Sequence, residues 1–266
     1  MSKLLQIAAV VLWICAQPAF ADGAATNAPL RALLVTGGCC HDYEQQKRIL
    51  TEGISARANV EWTIVHEGTN REHVVSIYTN TAWAGGYDVV LHNECFGFVT
   101  NVAIVENIVR AHTNGVAAVM LHCTIHSYRN APSDEWRELL GVRSVKHGKQ
   151  HAFEVVSARP EHPVMKGFPA RWSNFPDELY QILETWPGVV PLATGVSATE
   201  PEQVCVWLNT RGNARVFATT LGHRNDTMRD DVFLDLTTRG LLWACGKLDE
   251  NGKPLPGYGK VVASGD

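Results

Sequence analysis

The sequence predicts an α/β fold, a single domain built on a doubly wound, mostly parallel sheet. Three observations predict it. Residues 116–122 (VAAVMLH) are apolar up to the last, behind Gly115, and an unbroken run of that length reads as a strand buried on both faces. Strand-like and helix-like stretches alternate as β-α-β-β-α-β from residue 31 to residue 122. Polar residues able to do chemistry cluster where these strands end, and an open α/β sheet binds ligands outside the carboxyl ends of its strands.

The elements follow in order. Lys3, an apolar stretch over 4–16 and the small-x-small Ala19-Phe20-Ala21 read as a signal peptide over residues 1–21, too short in its apolar core to span a bilayer. The expectation is export, to a periplasmic or secreted location, with no membrane anchor after cleavage. Residues 22–30 are small and polar, a linker. Residues 31–36 (RALLVT) form a first strand, and GGCCHD turns out of it into a helix over 43–58 with Asp42 as N-cap. A second strand covers 60–65 and a third 88–92, ending in Asn93-Glu94-Cys95. A helix over 101–112 stops at Asn114-Gly115, and the apolar strand over 116–122 follows. Further on come a short helix near 134–140 closed by Gly141 and an alternating strand over 146–157. Two β-rich runs, 204–208 and 215–221, are joined by the hairpin signal Arg211-Gly212-Asn213. A last helix over 231–244 offers Phe233, Leu236, Leu241 and Trp243 to the core. The domain so defined covers 31–248, and the Gly/Pro-rich tail over 249–266 is expected to be flexible, frayed or loosely wrapped.

Composition removes some functions. A formal net charge of −4 supplies neither a nucleic-acid face nor a polybasic membrane patch. Gly37-Gly38 follows a first strand, but no G-x-G-x-x-G or P-loop lysine accompanies it, so no nucleotide cofactor is expected. The glycines instead let the backbone turn so that His41 sits at a helix N-terminus. Cys39 and Cys40 are adjacent and read as unable to pair easily with each other. One or two bridges are compatible with the sequence, Cys95–Cys123 being the geometrically sensible pair; free buried thiols are the alternative, and the reading taken for Cys205 and Cys245.

Four strand ends carry ligand-grade groups: His41, Asn93-Glu94, His122 with His126, and His223. Parallel strands point their carboxyl ends one way, so these groups converge on one crevice. Neutral imidazoles with a carboxylate suit one divalent ion such as zinc. Any one of these histidines has a blander reading as a hydrogen-bonded structural residue. His66, His73, His112 and His162 take that reading outright, and His147 and His151 read as surface residues near a turn, with reach into the site as the lesser alternative. Asp177, Glu178 and Tyr180 form either an acid pair at the mouth or the acidic start of a short helix. Cys123 at a central strand end suggests a nucleophile, but the strained elbow such a residue needs is flanked by glycines, and here the flanks are His122 and Thr124.

At these residues the chain resembles the ThuA-like (trehalose utilisation) family. The matching pieces are VTGGCCHDY, DVVLHNECF, VMLHCTIHSYR with DEWRELLG, EHPVMKGF, DELY, VCVWLNTRGNARVFATTLGH and FLDLTTRGLLWACG, in family order over 31–247. The resemblance implies a class I glutamine amidotransferase-like, flavodoxin-like three-layer sandwich without the amidotransferase nucleophile. It also implies a role in carbohydrate metabolism, with His41, Asn93, Glu94, His122, His126, Tyr128 and His223 as pocket residues. A signal peptide departs from a cytoplasmic sugar-utilisation role.

The combined expectation is an exported, metal-assisted enzyme acting on a sugar, glycoside or keto-sugar, its reaction type open between lyase, hydrolase and isomerase. Glu94, His122 and His126 are its candidate catalytic residues, with Glu94 as acid/base. Asn93, Tyr128 and Arg129 are candidate substrate contacts, and His41, His122 and His223 candidate metal ligands. The partner is a small carbohydrate, and a homo-oligomer is compatible. Two alternatives stand beside it: a non-catalytic carbohydrate-binding or accessory protein, and a Cys123-dependent hydrolase.

Overall fold

A computed structural model describes residues 28–261. The expected signal peptide therefore lies outside the described residues. Within them the order is β1 (Leu30–Gly38), α1 (Tyr43–Ser55), β2 (Val60–His66), β3 (Val89–Cys95), α2 (Val102–Thr113) and β4 (Ala117–Leu121). Then come α3 (Glu135–Leu140), β5 (Val142–His147), β6 (Glu154–Ser157), β7 (Arg171–Ser173), β8 (Tyr180–Thr185) and β9 (Val190–Val196). The chain closes with β10 (Gln203–Arg211), β11 (Ala214–Thr219), α4 (Asn225–Arg229) and α5 (Asp231–Ala244). No helix among the described residues is long and apolar enough to cross a membrane.

Nine strands make one sheet in the order β2-β1-β3-β4-β11-β10-β9-β6-β7. The first five run parallel, and their carboxyl ends open on one edge. The remaining four continue the sheet antiparallel, and β5 pairs with β8 in a separate ribbon. Strand alternation sorts the core into two layers. Ala32, Leu34, Leu91, Val119 and Leu121 face α1 and α5, while Leu33, Val35, Val90, Ala118 and Met120 face α2 and α3. The predicted N-cap holds, Asp42 accepting from the Gln45 amide at 3.2 Å; Asn101, expected as the first helical residue, instead caps α2 and accepts from Ala103 and Ile104. Gly141 closes α3 in the left-handed region, φ 81°. The hairpin β10–β11 turns at Gly212, φ 59°.

Three local expectations need correction. The alternating stretch 146–157 is not one strand. Its ends belong to β5 and β6, which pair in different sheets, and the residues between them cross to the mouth of the crevice. Residues 177–180 do not open a helix but lead into β8. The tail is tied down over its described part: the Asn59 amide donates to the Tyr258 carbonyl at 3.0 Å, the Leu255 amide to Lys247, and Leu248 and Tyr258 pack on the core. Its few apolar residues find a groove, and backbone bonding does the rest.

Candidate functional site

The turn after β1 sets the first wall. A Cβ on Gly37 would fall on the Glu67 carbonyl oxygen, and one on Gly38 on the Cys95 carbonyl. Only glycine passes between the ends of β2 and β3 there. The chain next runs through Cys40 at φ 87° and delivers His41 just before the N-cap of α1. The second wall is the end of β4. His122 takes φ 45° and Tyr128 φ 55°, so three of the described non-glycine residues lie in the left-handed region, all at this edge. Such conformations cost about 1 kcal/mol or more each and cluster at functional sites.

A buried carboxylate joins the third wall to the fourth. Asp177 accepts from the Gly222 amide at 2.8 Å, the His223 amide at 3.1 Å and the Glu178 amide at 2.8 Å. This locks the loop after β11 to the loop before β8, and so places His223 and Glu178 side by side.

The result is a small crevice of about 110 Å³ lined by Cys40, His41, Arg71, Cys95, Gly97, Cys123, His126, Arg129, His147, Glu178, Tyr180 and His223. A larger groove of about 790 Å³ lies at the opposite edge of the sheet, among the starts of β1, β3 and β4. Its lining holds no histidine, and its Arg31 and Asp88 already pair at 3.1 Å, so the smaller crevice is the candidate site.

His41, His122 and His223 each turn one ligand atom to a common point, these atoms all lying within 4.8 Å of one another. His122 Nδ1 donates to the Thr220 carbonyl at 2.6 Å, which leaves Nε2 facing Glu178 Oε2 at 3.5 Å. His223 Nδ1 stands 3.3 Å from Glu178 Oε1 without hydrogen-bond alignment, and its Nε2 meets Gln150 Nε2 at 2.7 Å. His41 Nδ1 is buried with no hydrogen-bond partner. An orphaned imidazole nitrogen among three convergent rings is the donor set a divalent ion would satisfy.

Electrostatics fits that use. Burial, reinforced by the charges His122 and His223 can carry, holds His41 neutral with its pKa pushed down to about 2. Burial also opposes charge on His122, but Glu178, Asp177 and the Thr220 carbonyl outweigh it and raise its pKa. Burial would raise Glu178, yet the facing rings of His122 and His223 hold its carboxyl below the ordinary carboxylate range. His147 Nε2 lies 3.4 Å from the same carboxylate. His126 stacks on Tyr180 with centroids 4.1 Å apart and bonds Ser144 Oγ at 2.9 Å. Arg129 donates to the Val145 carbonyl at 3.0 Å on the crevice rim.

The geometry thus brings His41, His122 and His223 together and places His126 and Arg129 in the same crevice. It does not bring Glu94, Asn93 or Tyr128 there. Glu94 shares a strand face with Val90 and His92 and is fully buried beneath the crevice, where Tyr78, Tyr128 and His92 surround its carboxylate. Asn93, on the other face, bonds Gln46 Oε1 at 3.1 Å under α1. The Tyr128 hydroxyl is spent on Glu94 at 3.1 Å. The crevice acid is Glu178, which sequence reasoning left undecided; His147, the last residue of β5, and Gln150, in the loop after it, reach the mouth. Two cysteine readings also change. Cys39 and Cys40 are bonded to each other, because the positive φ of Cys40 gives the adjacent side chains a turn they cannot find in helix or strand. Cys123 is bonded to Cys95 across the ends of β4 and β3, so the free thiol a Cys123-dependent hydrolase needs is absent from the oxidised protein.

Neutral buried histidines make the fold acid-sensitive. Burial pushes His126 down to about 2, helped by Arg129, and His112 down to about 3, helped by His92. The unfolded chain takes up these protons near pH 6.5, whereas the folded chain refuses them until pH 2–3. Their contribution is therefore full above pH 6.5 and falls as pH drops, by about 1.4 kcal/mol per unit for each ring. The raised His122 runs the other way and offsets part of the loss. Urea midpoints should fall between pH 7 and pH 5 by an amount worth about 2–4 kcal/mol, and a flat profile would contradict burial of the neutral rings.

The family model for trehalose utilisation, ThuA, matches residues 31–244. Among solved structures, a ThuA-like protein from Parabacteroides merdae superposes with TM-score 0.69 at 21% identity, over 88% of this chain and 98% of that one. A ThuA-like protein from Bacteroides uniformis gives 0.63 at 16% identity, over 90% and 99%. A GMP synthase component from Thermoplasma acidophilum gives 0.50 at 16% identity, over 83% and 96%, a likeness of glutamine amidotransferase-like fold alone. No curated protein matches the chain in sequence.

Proposed function

From the chain's place in the ThuA family, to which it belongs, we propose that it is an exported, metal-assisted enzyme acting on a sugar, glycoside or keto-sugar derivative. The family carries the carbohydrate-related role. The observation that carries the metal is the convergence of His41, His122 and His223 from three separate strand ends, with His41 Nδ1 and His223 Nδ1 buried and without a hydrogen-bond partner. A divalent ion held there would act as a Lewis acid on vicinal hydroxyls or a ketone, the groups a carbohydrate offers. Glu178, beside two of the three rings, takes the acid/base role expected of Glu94, because it reaches the crevice and remains ionised. Arg129 and Gln150 supply donors to hydroxyl oxygens at the rim. The two disulfides and the signal sequence support an oxidising, periplasmic or secreted location.

Metal content tests the reading. Mature protein purified without a histidine tag is expected to carry near-stoichiometric zinc or a similar ion by plasma mass spectrometry, and His122→Ala to lose it. A metal-free wild type whose melting temperature ignores added Zn, Mn and Ni would sink the metal mechanism. It would leave the carbohydrate-binding reading, which sugar titration by calorimetry would then decide.

A further inference from the structure

Where the turn after β1 meets the ends of β3 and β4, four cysteine sulfurs stand in a row that the metal reading does not use. Cys40 is exposed, Cys39 half-buried, and Cys95 and Cys123 buried. The outer pair is bonded, the inner pair is bonded, and Cys39 Sγ lies 3.7 Å from Cys95 Sγ. That separation is sulfur–sulfur contact between two disulfides, the arrangement from which thiol–disulfide exchange proceeds without moving the backbone far. Arg71 donates from Nε to Cys39 Sγ at 3.1 Å and from Nη2 to Cys40 Sγ at 3.6 Å. Its guanidinium, held over the Phe98 ring at 5.4 Å, faces the two sulfurs on which an electron pair would first appear. Structural disulfides need neither a cationic donor on sulfur nor a second disulfide in contact.

We propose that Cys39, Cys40, Cys95 and Cys123 form a two-stage thiol–disulfide relay, which accepts an electron pair from an external dithiol at the surface and delivers it to the disulfide lining the crevice. A sulfur of the external dithiol attacks exposed Cys40 Sγ, and the Cys39–Cys40 bond breaks with its electron pair leaving on Cys39. The second donor sulfur attacks the first, closing the donor's disulfide and releasing Cys40. Cys39 Sγ then attacks Cys95 Sγ; a Cys39–Cys95 bond forms as the Cys95–Cys123 bond breaks, the pair leaving on Cys123. Finally Cys40 Sγ attacks Cys39 Sγ, restoring the outer disulfide and releasing Cys95. In sum the donor dithiol is oxidised to its disulfide, Cys95–Cys123 is reduced to two thiols, and the donor's two protons end on Cys95 and Cys123. Because Cys123 follows His122 and Cys40 precedes His41, the oxidation state of the relay sets the backbone that presents two of the three crevice histidines.

The relay does not depend on a metal, and its experiment is separate from the metal assay. Wild-type protein would be reduced stepwise with dithiothreitol, quenched in acid, alkylated with N-ethylmaleimide and mapped by mass spectrometry without reduction. A peptide pair linked Cys39–Cys95 is expected among the partly reduced species. A Cys39→Ser/Cys40→Ser variant, whose fold is checked by its melting curve, should reduce Cys95–Cys123 at least about tenfold more slowly than wild type. An unchanged rate in the folded variant overturns the relay. If the variant does not fold, the wild-type map decides: absence of the Cys39–Cys95 link at every stage of reduction means two independent structural bonds.

Discussion

Glu94→Ala is expected to destabilise the protein by about 3–5 kcal/mol, since it leaves two buried phenol donors without their acceptor at about 1–3 kcal/mol each. For a domain of this size that is a fall of roughly 6–20 °C in melting temperature. Glu94 has no exposure to solvent. The Tyr78 hydroxyl donates to its oxygens at 3.2 and 3.1 Å, Tyr128 at 3.1 Å, and His92 Nδ1 stands 3.0 Å away. Burial and the Glu94 charge hold both phenols protonated, so they remain donors that lose their acceptor on truncation. The network runs further. His112 Nδ1 gives its hydrogen to the Val116 carbonyl at 2.9 Å, so its Nε2 accepts from His92 Nε2 at 3.1 Å. The carboxylate thus terminates a chain of hydrogen bonds that ties β3 to α2, and removing it strands groups on both. Tyr78→Phe, which deletes a single donor, should cost only about 1 kcal/mol. A Glu94→Ala variant with an unshifted urea midpoint would contradict this account, and so would loss of metal from a variant that keeps its stability.

The same residue shows what a sequence reading reaches and what it does not. The buried strand β4, the hairpin and the helix over 231–244 are legible because their signals are local: an unbroken apolar run, a glycine at a turn, a helical period ended by Gly246. The convergence of His41, His122 and His223 follows from topology, since parallel strands share an edge. Glu94 sits at an equivalent strand end, but a strand turns successive side chains to opposite faces. Residues 90, 92 and 94 share the face that α2 and α3 cover, and that pattern alone was enough to move Glu94 from the crevice to the core. The rest was not local. Glu178 owes its position to Asp177, whose carboxylate gathers three backbone amides from two loops 45 residues apart at their closest pairing, and no periodicity marks such a contact. The Cys39–Cys40 bond likewise depends on a positive φ at Cys40, which adjacent cysteines in a sequence do not announce.

Glu178→Gln is expected to weaken zinc binding by roughly 10–100-fold, the usual consequence of removing the group that orients and charges metal-bound histidines. The amide keeps the shape but loses the charge that both His122 and His223 face at 3.5 and 3.3 Å. Calorimetric titration of the metal-free protein with Zn²⁺ reads the change directly, and an unchanged affinity would remove Glu178 from the centre. The pH dependence of stability gives an independent reading of the same pair. Glu178 lies low in the folded state, so its contribution is present above pH 4.5 and fades as pH falls through its depressed value. His122 lies high, so its contribution is complete below pH 6.5 and fades as pH rises through its raised value. The two overlap fully between pH 4.5 and 6.5, and there the metal-free variant should differ most from wild type in its urea midpoint. Above the raised His122 value the ring is neutral in both proteins, the ion pair is gone, and the difference should shrink. A difference that instead grew toward pH 9 would mean that Glu178 acts through something other than His122. Turnover, once a substrate is in hand, completes the argument: a proton-transfer role predicts a loss in kcat of about 10²–10⁴ that saturating zinc does not restore. A purely orienting role predicts recovery once the metal site is filled.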